Sequence, residues 1–137
     1  MTFPTRTEYE LLLYRVQEDF PDVVGSTLRL YGTSALTAIV EGSLHLRNGL
    51  EVRVVEIVDF KVGSIRHYSY TIFRGEEKVR WYDPQPHADN PDLASTFPHH
   101  RHEPPDIKHN RKPAPGISFT GPNLPTLIAD CLALEKE

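Results

Sequence analysis

The chain has 137 residues, of which 39% are hydrophobic and 25% charged, and its formal net charge is −4 when every histidine is neutral. This length and composition are typical of one soluble globular domain and exclude a largely disordered chain. A single cysteine excludes an internal disulfide framework and a cysteine-based zinc site, and no apolar run is long enough for a membrane span, so we expect a cytoplasmic protein that is not membrane-bound.

The first segment predicts a helix followed by a weak strand. Thr5 and Glu8 have the spacing of a capping box, and apolar residues recur at helical intervals until Pro21 ends the pattern. We therefore predict a helix over residues 5–19. Residues 26–32 follow with a shorter β pattern.

A stronger β pattern surrounds Asn48-Gly49, where alternating apolar residues predict a hairpin. A two-residue turn would mix polar and apolar side chains on each face. A three-residue loop, residues 47–49, pairs Ala38 with Val58 and keeps one face apolar. We predict this register, with Gly49 in a left-handed conformation.

The predicted register places Glu56 on the apolar face, opposite Val40. A carboxylate there needs a partner or has a raised pKa. Paired with Arg66, Arg80 or a histidine, Glu56 would orient a catalytic imidazole, which makes it a candidate catalytic residue. The alternative is a structural ion pair.

A second hairpin is predicted from residues 65–73 and 79–83 around a turn at Gly75-Glu76. This turn would pair Tyr70 with Trp81. The strand then continues into residues 84–87, where Trp81 and Tyr82 are candidates for stacking on nucleic-acid bases.

Residues 84–125 differ in composition from everything before them. They hold ten of the twelve prolines and five of the seven histidines, whereas residues 22–83 hold no proline. Proline cannot donate a backbone hydrogen bond, so we predict a long irregular segment rather than a central strand or a helix. Asn123 then caps a predicted final helix.

Together these elements predict an α+β fold. It consists of an antiparallel, twisted sheet of four or five strands, arranged as a meander, with an N-terminal helix, a C-terminal helix and a long Pro/His-rich loop. We expect one domain over residues 1–137. Its parts are the helix and sheet of residues 1–83, the Pro/His-rich functional loop of residues 84–122, and the C-terminal helix of residues 123–137.

The run from Phe97 to His102 is the densest chemical feature. In an extended backbone His100 and His102 project to one side, and His99 and Arg101 project to the other. Imidazoles beside an arginine suit phosphodiester chemistry, because one group moves a proton while a cation stabilises the phosphate.

Two other interpretations of the same histidines remain open. His100 and His102 have a spacing that binds one metal ion when further ligands come from elsewhere, with His87, Asp83, Asp89 and Glu56 as candidates. The run is otherwise an exposed polar loop with no special histidine. Lys108, Arg111 and Lys112 add a modest basic patch usable for phosphate contacts.

The order of these motifs resembles the TumE-like toxin family of bacterial type II toxin–antitoxin systems. The resemblance covers residues 40–134, and its most specific part is the run Phe97-Pro98-His99-His100-Arg101-His102. It implies a small cytoplasmic toxin neutralised by a cognate antitoxin. It places function on Tyr70, Tyr82, Asp83, His87, His99, His100 and His102.

We therefore predict a toxin that acts on RNA as a His-dependent, metal-independent endoribonuclease without a cofactor. The predicted catalytic residues are His87, His99, His100, His102 and Glu56. The predicted substrate-binding residues are Tyr70, Arg80, Tyr82, Asp83 and Arg101. The alternatives are a non-catalytic module that binds nucleic acid or protein, and a metalloprotein in which His100, His102 and His87 hold a divalent metal. The sequence also leaves a homodimer open.

Overall fold

The structure is a computed structural model that describes residues 2–134. Its helices are α1 (Arg6–Tyr14), α2 (Val16–Asp19) and α3 (Leu124–Leu134), with a 3-10 helix over Pro91–Thr96. Its strands are β1 (Val23–Ser26), β2 (Arg29–Gly32), β3 (Thr37–Leu46), β4 (Leu50–Asp59), β5 (Ser64–Arg74), β6 (Glu77–Asp83), β7 (His100–His102) and β8 (Arg111–Pro113). No helix within these residues is long and apolar enough to cross a membrane.

All of these strands belong to one antiparallel sheet. The order is β1-β3-β4-β5-β6-β7-β8, and β2 pairs with the same edge of β3 as β1. The predicted α+β class and antiparallel sheet are confirmed, but the prediction of four or five strands is wrong because the sheet has 8. Part of the difference is that β1 and β2 replace the single strand predicted over residues 26–32.

The N-terminal helix begins where the sequence predicts. The Thr5 hydroxyl accepts a hydrogen bond from the Glu8 N–H (3.2 Å), and the Glu8 carboxylate accepts one from the Thr5 N–H (2.9 Å). The predicted helix over residues 5–19 is confirmed except that Arg15 leaves helical geometry and divides it into α1 and α2.

The β3–β4 hairpin has the predicted register. Ala38 pairs with Val58, Val40 pairs with Glu56, and Gly49 has a φ of 89°. The core face is therefore apolar except at Glu56, which is fully buried.

The β5–β6 hairpin turns where predicted, but its predicted register is wrong by one residue. Ile72 pairs with Arg80 while Phe73 pairs with Lys78, so Val79 forms a bulge. The extra residue places Tyr82, not Trp81, opposite Tyr70. Tyr82 therefore shares the buried core face with Tyr70.

The segment predicted as an irregular Pro/His-rich loop contains two strands. β7 is an interior strand, because β6 pairs on one side of it and β8 on the other. It contains no proline, and Pro113 lies in the edge strand β8, where a missing N–H is tolerated. The predicted final helix begins at Leu124, and its predicted extension over residues 135–137 lies outside the described residues.

The two faces of the sheet have different coverings. Helices α1 and α3 reach the core face, where Tyr9 contacts Glu56 and Asp130 contacts Tyr82. Side chains alternate along a strand, so Asp83 faces away from the Tyr82 side. The far face of β6 and β7 is thus built from different residues than the core.

Candidate functional site

Pairing of β6 with β7 brings Asp83 next to two histidines that are distant from it in the sequence. Asp83 pairs with His100, and Trp81 pairs with His102. His100 Nε2 lies 3.2 Å from Asp83 Oδ1, and His102 Nε2 lies 3.0 Å from Asp83 Oδ2. The predicted projection of His100 and His102 to one side is confirmed, and we call Asp83, His100 and His102 the Asp–His–His cluster.

Backbone carbonyls fix the orientation of both imidazoles. His100 Nδ1 lies 3.2 Å from the Pro98 carbonyl oxygen, and His102 Nδ1 lies 3.1 Å from the Lys108 carbonyl oxygen. A carbonyl only accepts, so each Nδ1 carries the donated proton. Both Nε2 atoms consequently face the carboxylate, and they are 3.2 Å apart.

The carboxylate of the cluster is ionised at neutral pH. Burial by itself raises the pKa of Asp83, but the contact with His100 and the hydrogen bond from the Gln85 N–H outweigh that effect and lower the pKa to about 2. Burial also lowers the pKa of His102, against the opposing effect of Asp83. The cluster thus places an ionised carboxylate beside two imidazole nitrogens.

The cluster borders a cavity of about 150 Å³. Its walls include Trp81, Asp83, His87, His102, Lys108 and Arg111. The Trp81 ring stacks on the His102 ring at a centroid distance of 4.3 Å, and the His87 ring meets the His100 ring edge-on at 5.0 Å. We call this cavity the site pocket; a second cavity of about 240 Å³ lies on the other side of His87.

Two cations of the site pocket were not among the predicted site residues. Arg111 Nε is buried and has no hydrogen-bond partner within residues 2–134. Lys108 lines the same pocket. The only signal in the sequence was the modest basic patch of residues 108–112, because nothing local shows that β8 folds back beside β7.

His99 points away from the site pocket. Its Nδ1 lies 2.7 Å from the Tyr68 hydroxyl, and its ring packs against Tyr68 and Phe119. Burial lowers the pKa of His99. The structure therefore separates His99 from His87, His100 and His102.

Glu56 also lies outside the site pocket. It accepts hydrogen bonds from the Tyr9 hydroxyl (2.6 Å) and the Tyr70 hydroxyl (2.5 Å). The prediction that Glu56 pairs with Arg66, Arg80 or a histidine is wrong, because α1 delivers Tyr9 to the position where a cation was expected. Burial raises the pKa of Glu56, as a carboxylate with neutral partners requires.

The remaining predicted substrate-binding residues are engaged on the core side of the sheet. Tyr70 and Tyr82 are fully buried, so neither ring offers a face to a base, and the stacking role predicted for Tyr82 is wrong. Arg80 is buried 3.6 Å from Glu103, and Arg101 Nε lies 2.7 Å from the same carboxylate. Trp81 is the aromatic residue of this strand that borders the site pocket.

Among the described residues, Asp83, His100 and His102 are the group whose ligand atoms lie close enough together to hold one metal ion. His87, named in the predicted metal set, does not belong to that group, and Asp83 takes its place.

Comparison with protein families gives one finding. The family model described as Toxin TumE matches residues 12–135, nearly the whole chain. Comparisons with curated proteins and with solved structures find no significant match.

Proposed function

This chain belongs to the TumE toxin family, and we propose on that premise that it is the toxin of a toxin–antitoxin pair and cleaves RNA in the site pocket. The observation that carries the proposal is the convergence on one cavity of a carboxylate–imidazole cluster, an aromatic ring and two cations. RNA cleavage needs all three kinds of group: proton carriers, a surface for a base, and positive charge for the phosphate.

The cations account for phosphate binding. Arg111 offers a guanidinium N–H without a partner within residues 2–134, and Lys108 adds a second positive charge. A phosphate oxygen would accept from the Arg111 N–H and so satisfy a donor that is otherwise costly to bury. The formal charge of −4 does not oppose this role, because residues 97–112 carry four Lys and Arg against two acidic residues.

The imidazoles account for proton transfer. In the proposed reaction the ribose 2′-oxygen forms a bond to the neighbouring phosphorus as its bond to the 5′-oxygen breaks. The 2′-hydroxyl gives its proton to His102 Nε2, which carries a lone pair in the neutral imidazole and belongs to a residue of the pocket wall. The 5′-oxygen gains a proton from His87, whose ring lies on the pocket wall.

The aromatic residue accounts for base binding. Trp81 borders the site pocket, and its ring position is fixed by stacking on His102. A base that stacks on Trp81 would place the attached ribose and phosphate beside the cluster. Of the two residues predicted to stack on bases, Trp81 is the one that borders the site pocket.

RNA cleavage is tested with the purified full-length chain and end-labelled RNA, with and without divalent cations. We expect cleavage, and we expect Arg111→Ala to lower its rate by about 100-fold, since one lost transition-state donor has an effect of that size. Lys112→Ala is the matched control, because this exposed residue of the same strand does not line the pocket, and its rate should stay within a few-fold.

Two results would contradict the proposal. RNA that stays intact under every condition excludes the nuclease function. RNA that is bound but not cut replaces it with a non-catalytic binding module. The toxin role has its own readout: induced expression should arrest growth, and co-expression of the protein encoded beside it, the expected antitoxin, should restore growth.

A further inference from the structure

The facing nitrogen and oxygen atoms of the Asp–His–His cluster lack hydrogen atoms to donate to one another. Each Nδ1 already donates to a carbonyl, so in the neutral form each Nε2 presents a lone pair. The two lone pairs point at each other across 3.2 Å and at the two oxygens of Asp83 across 3.0 and 3.2 Å. Four acceptor atoms thus converge, and the neutral tautomers place no hydrogen between them.

Such an arrangement requires a positive charge at its centre. Converging lone pairs and a carboxylate repel one another, and the small exposed fraction of these side chains, 1% for His100, 3% for His102 and 13% for Asp83, limits screening by water. The cationic side chains of the site pocket do not fill this place: within residues 2–134 the Nε2 and carboxylate atoms contact one another and the Gln85 N–H. A proton on one imidazole or a metal cation would each satisfy the site.

The distances fit a metal cation. Two ligand atoms that each lie about 2.1 Å from one ion are separated by about 3.0 Å at a right angle and by about 3.4 Å at the tetrahedral angle. The two Nε2 atoms are 3.2 Å apart, and each lies 3.0 or 3.2 Å from a different oxygen of Asp83, so all three separations fall inside this interval for an ion that both carboxylate oxygens approach. The ligand atoms therefore need little movement to coordinate one ion.

The surroundings of the cluster also fit a metal site. Histidine ligands of metals characteristically donate their other ring N–H to a carbonyl or carboxylate, which fixes the tautomer. Pro98 and Lys108 provide this for both imidazoles, and the Gln85 N–H holds one carboxylate oxygen. Two imidazoles and one carboxylate, without a thiolate, suit zinc and its first-row neighbours.

We propose that Asp83, His100 and His102 bind one divalent transition-metal ion of the Zn²⁺ type, with its remaining coordination positions open to the site pocket. Asp83 and His102 line the pocket, so a water molecule or a phosphate oxygen can reach the ion from that side. Three protein ligands with an open position are the pattern of catalytic rather than structural zinc. This site replaces the metal-independent chemistry that the residue pattern alone favoured.

With the ion bound, His102 Nε2 would be a ligand rather than a proton acceptor, so the ion would take over activation of the 2′-hydroxyl by lowering its pKa, and the released proton would pass to water in the pocket. That contribution rests on the proposed function. Metal binding does not, so it is measured without RNA.

The experiment uses the full-length chain, treated with a chelator and dialysed, and titrated with Zn²⁺ alone by isothermal calorimetry. We expect one Zn²⁺ per chain and a rise of the melting temperature when Zn²⁺ is added. Asp83→Asn and His102→Gln should each weaken binding at least 10-fold, since loss of even an outer-shell partner has that effect.

The control variant is His109→Ala. His109 pairs with Asp106 at 3.1 Å in the same segment, but both side chains are 64% exposed and no second imidazole joins them. This variant should bind Zn²⁺ as the unaltered chain does. Circular dichroism of the chelated proteins separates lost binding from lost folding, and Asp83→Asn, which keeps the size of the side chain, remains informative if His102→Gln unfolds.

Three results would overturn the metal site. They are the absence of stoichiometric binding by the folded chain, binding that is unchanged in folded Asp83→Asn, and an equal loss in His109→Ala. The first of these would assign the missing positive charge to a protonated imidazole. RNA cleavage by a chain that binds no Zn²⁺ would leave the proposed function standing while the metal site fails.

Discussion

The two faces of the sheet each bury a carboxylate, and they treat it differently. On the core face Glu56 accepts from two tyrosine hydroxyls, which are neutral donors, and its pKa is raised. On the far face Asp83 meets two imidazoles at the wall of a cavity, and its pKa is lowered. Burial of an acid therefore does not by itself mark a functional site. The difference comes from the partners of each carboxylate. Tyrosine hydroxyls donate to Glu56 within the core, whereas the imidazoles beside Asp83 keep lone pairs that can bind a proton or a metal ion.

The largest effect expected from this comparison is on activity. Asp83→Asn should lower RNA cleavage by about 100-fold, because it removes the negative charge on which both imidazoles converge. Glu56→Gln should stay within about threefold per folded molecule, since Glu56 contacts nothing in the site pocket. Initial rates on labelled RNA measure both, and equal losses in the two variants would abolish the distinction between the faces.

The next effect is on stability and concerns the core face. Tyr9→Phe should lower the free energy of unfolding by about 2 kcal/mol, because it removes a buried donor from the Glu56 carboxylate. Tyr14→Phe is the matched change on the same helix. The Tyr14 side chain is half exposed, and among the described residues its hydroxyl accepts a hydrogen bond from the Leu30 N–H alone, so the loss should be below about 0.5 kcal/mol. Urea denaturation of the two variants measures both free energies of unfolding. A Tyr9→Phe variant as stable as Tyr14→Phe would show that the Glu56 carboxylate does not need this donor.

The smallest effect is a pH dependence. The pKa of Glu56 is higher in the folded state than its unfolded value of 4.5, so folding favours the protonated form. Its stabilising contribution is complete below the unfolded pKa and is lost as pH rises through the folded pKa. Glu56→Gln carries no proton to lose, so its stability relative to the unaltered chain should increase with pH by up to about 1.4 kcal/mol per pH unit in this interval. Unfolding free energies between pH 4 and 8 test this, and a constant difference would exclude the titration.

Local patterns predicted the parts of the fold that local chemistry determines. The capping box located the start of α1, and the requirement for one apolar face selected the pairing of Ala38 with Val58. The prediction of the β5–β6 register was wrong because the bulged residue, Val79, looks in the sequence like a regular strand residue. Strands β7 and β8 were not predicted because a three-residue strand is too short to show an alternation of polar and apolar residues.

The candidate site was predicted in its parts but not in its assembly. The His-x-His spacing gave the common side of His100 and His102, and that much is confirmed. The third member, Asp83, joins them through pairing of β6 with β7, a contact across 17 positions that no local rule supplies. The partners of Glu56 were missed for the same reason, since Tyr9 is 47 positions away in the chain.

The antiparallel pairing of β6 with β7 also bears on how this site tolerates change over evolution. The ladder fixes the positions of Asp83 and His100, whereas residues 88–97 in the middle of the connection contribute no side chain to the cluster or to the lining of the site pocket. Insertions and deletions in that connection can therefore accumulate without moving the cluster. One residue added between His100 and His102 would instead turn the second imidazole to the opposite face. Relatives of this chain should vary in the length of the connection between β6 and β7 and keep the His-x-His spacing of His100 and His102.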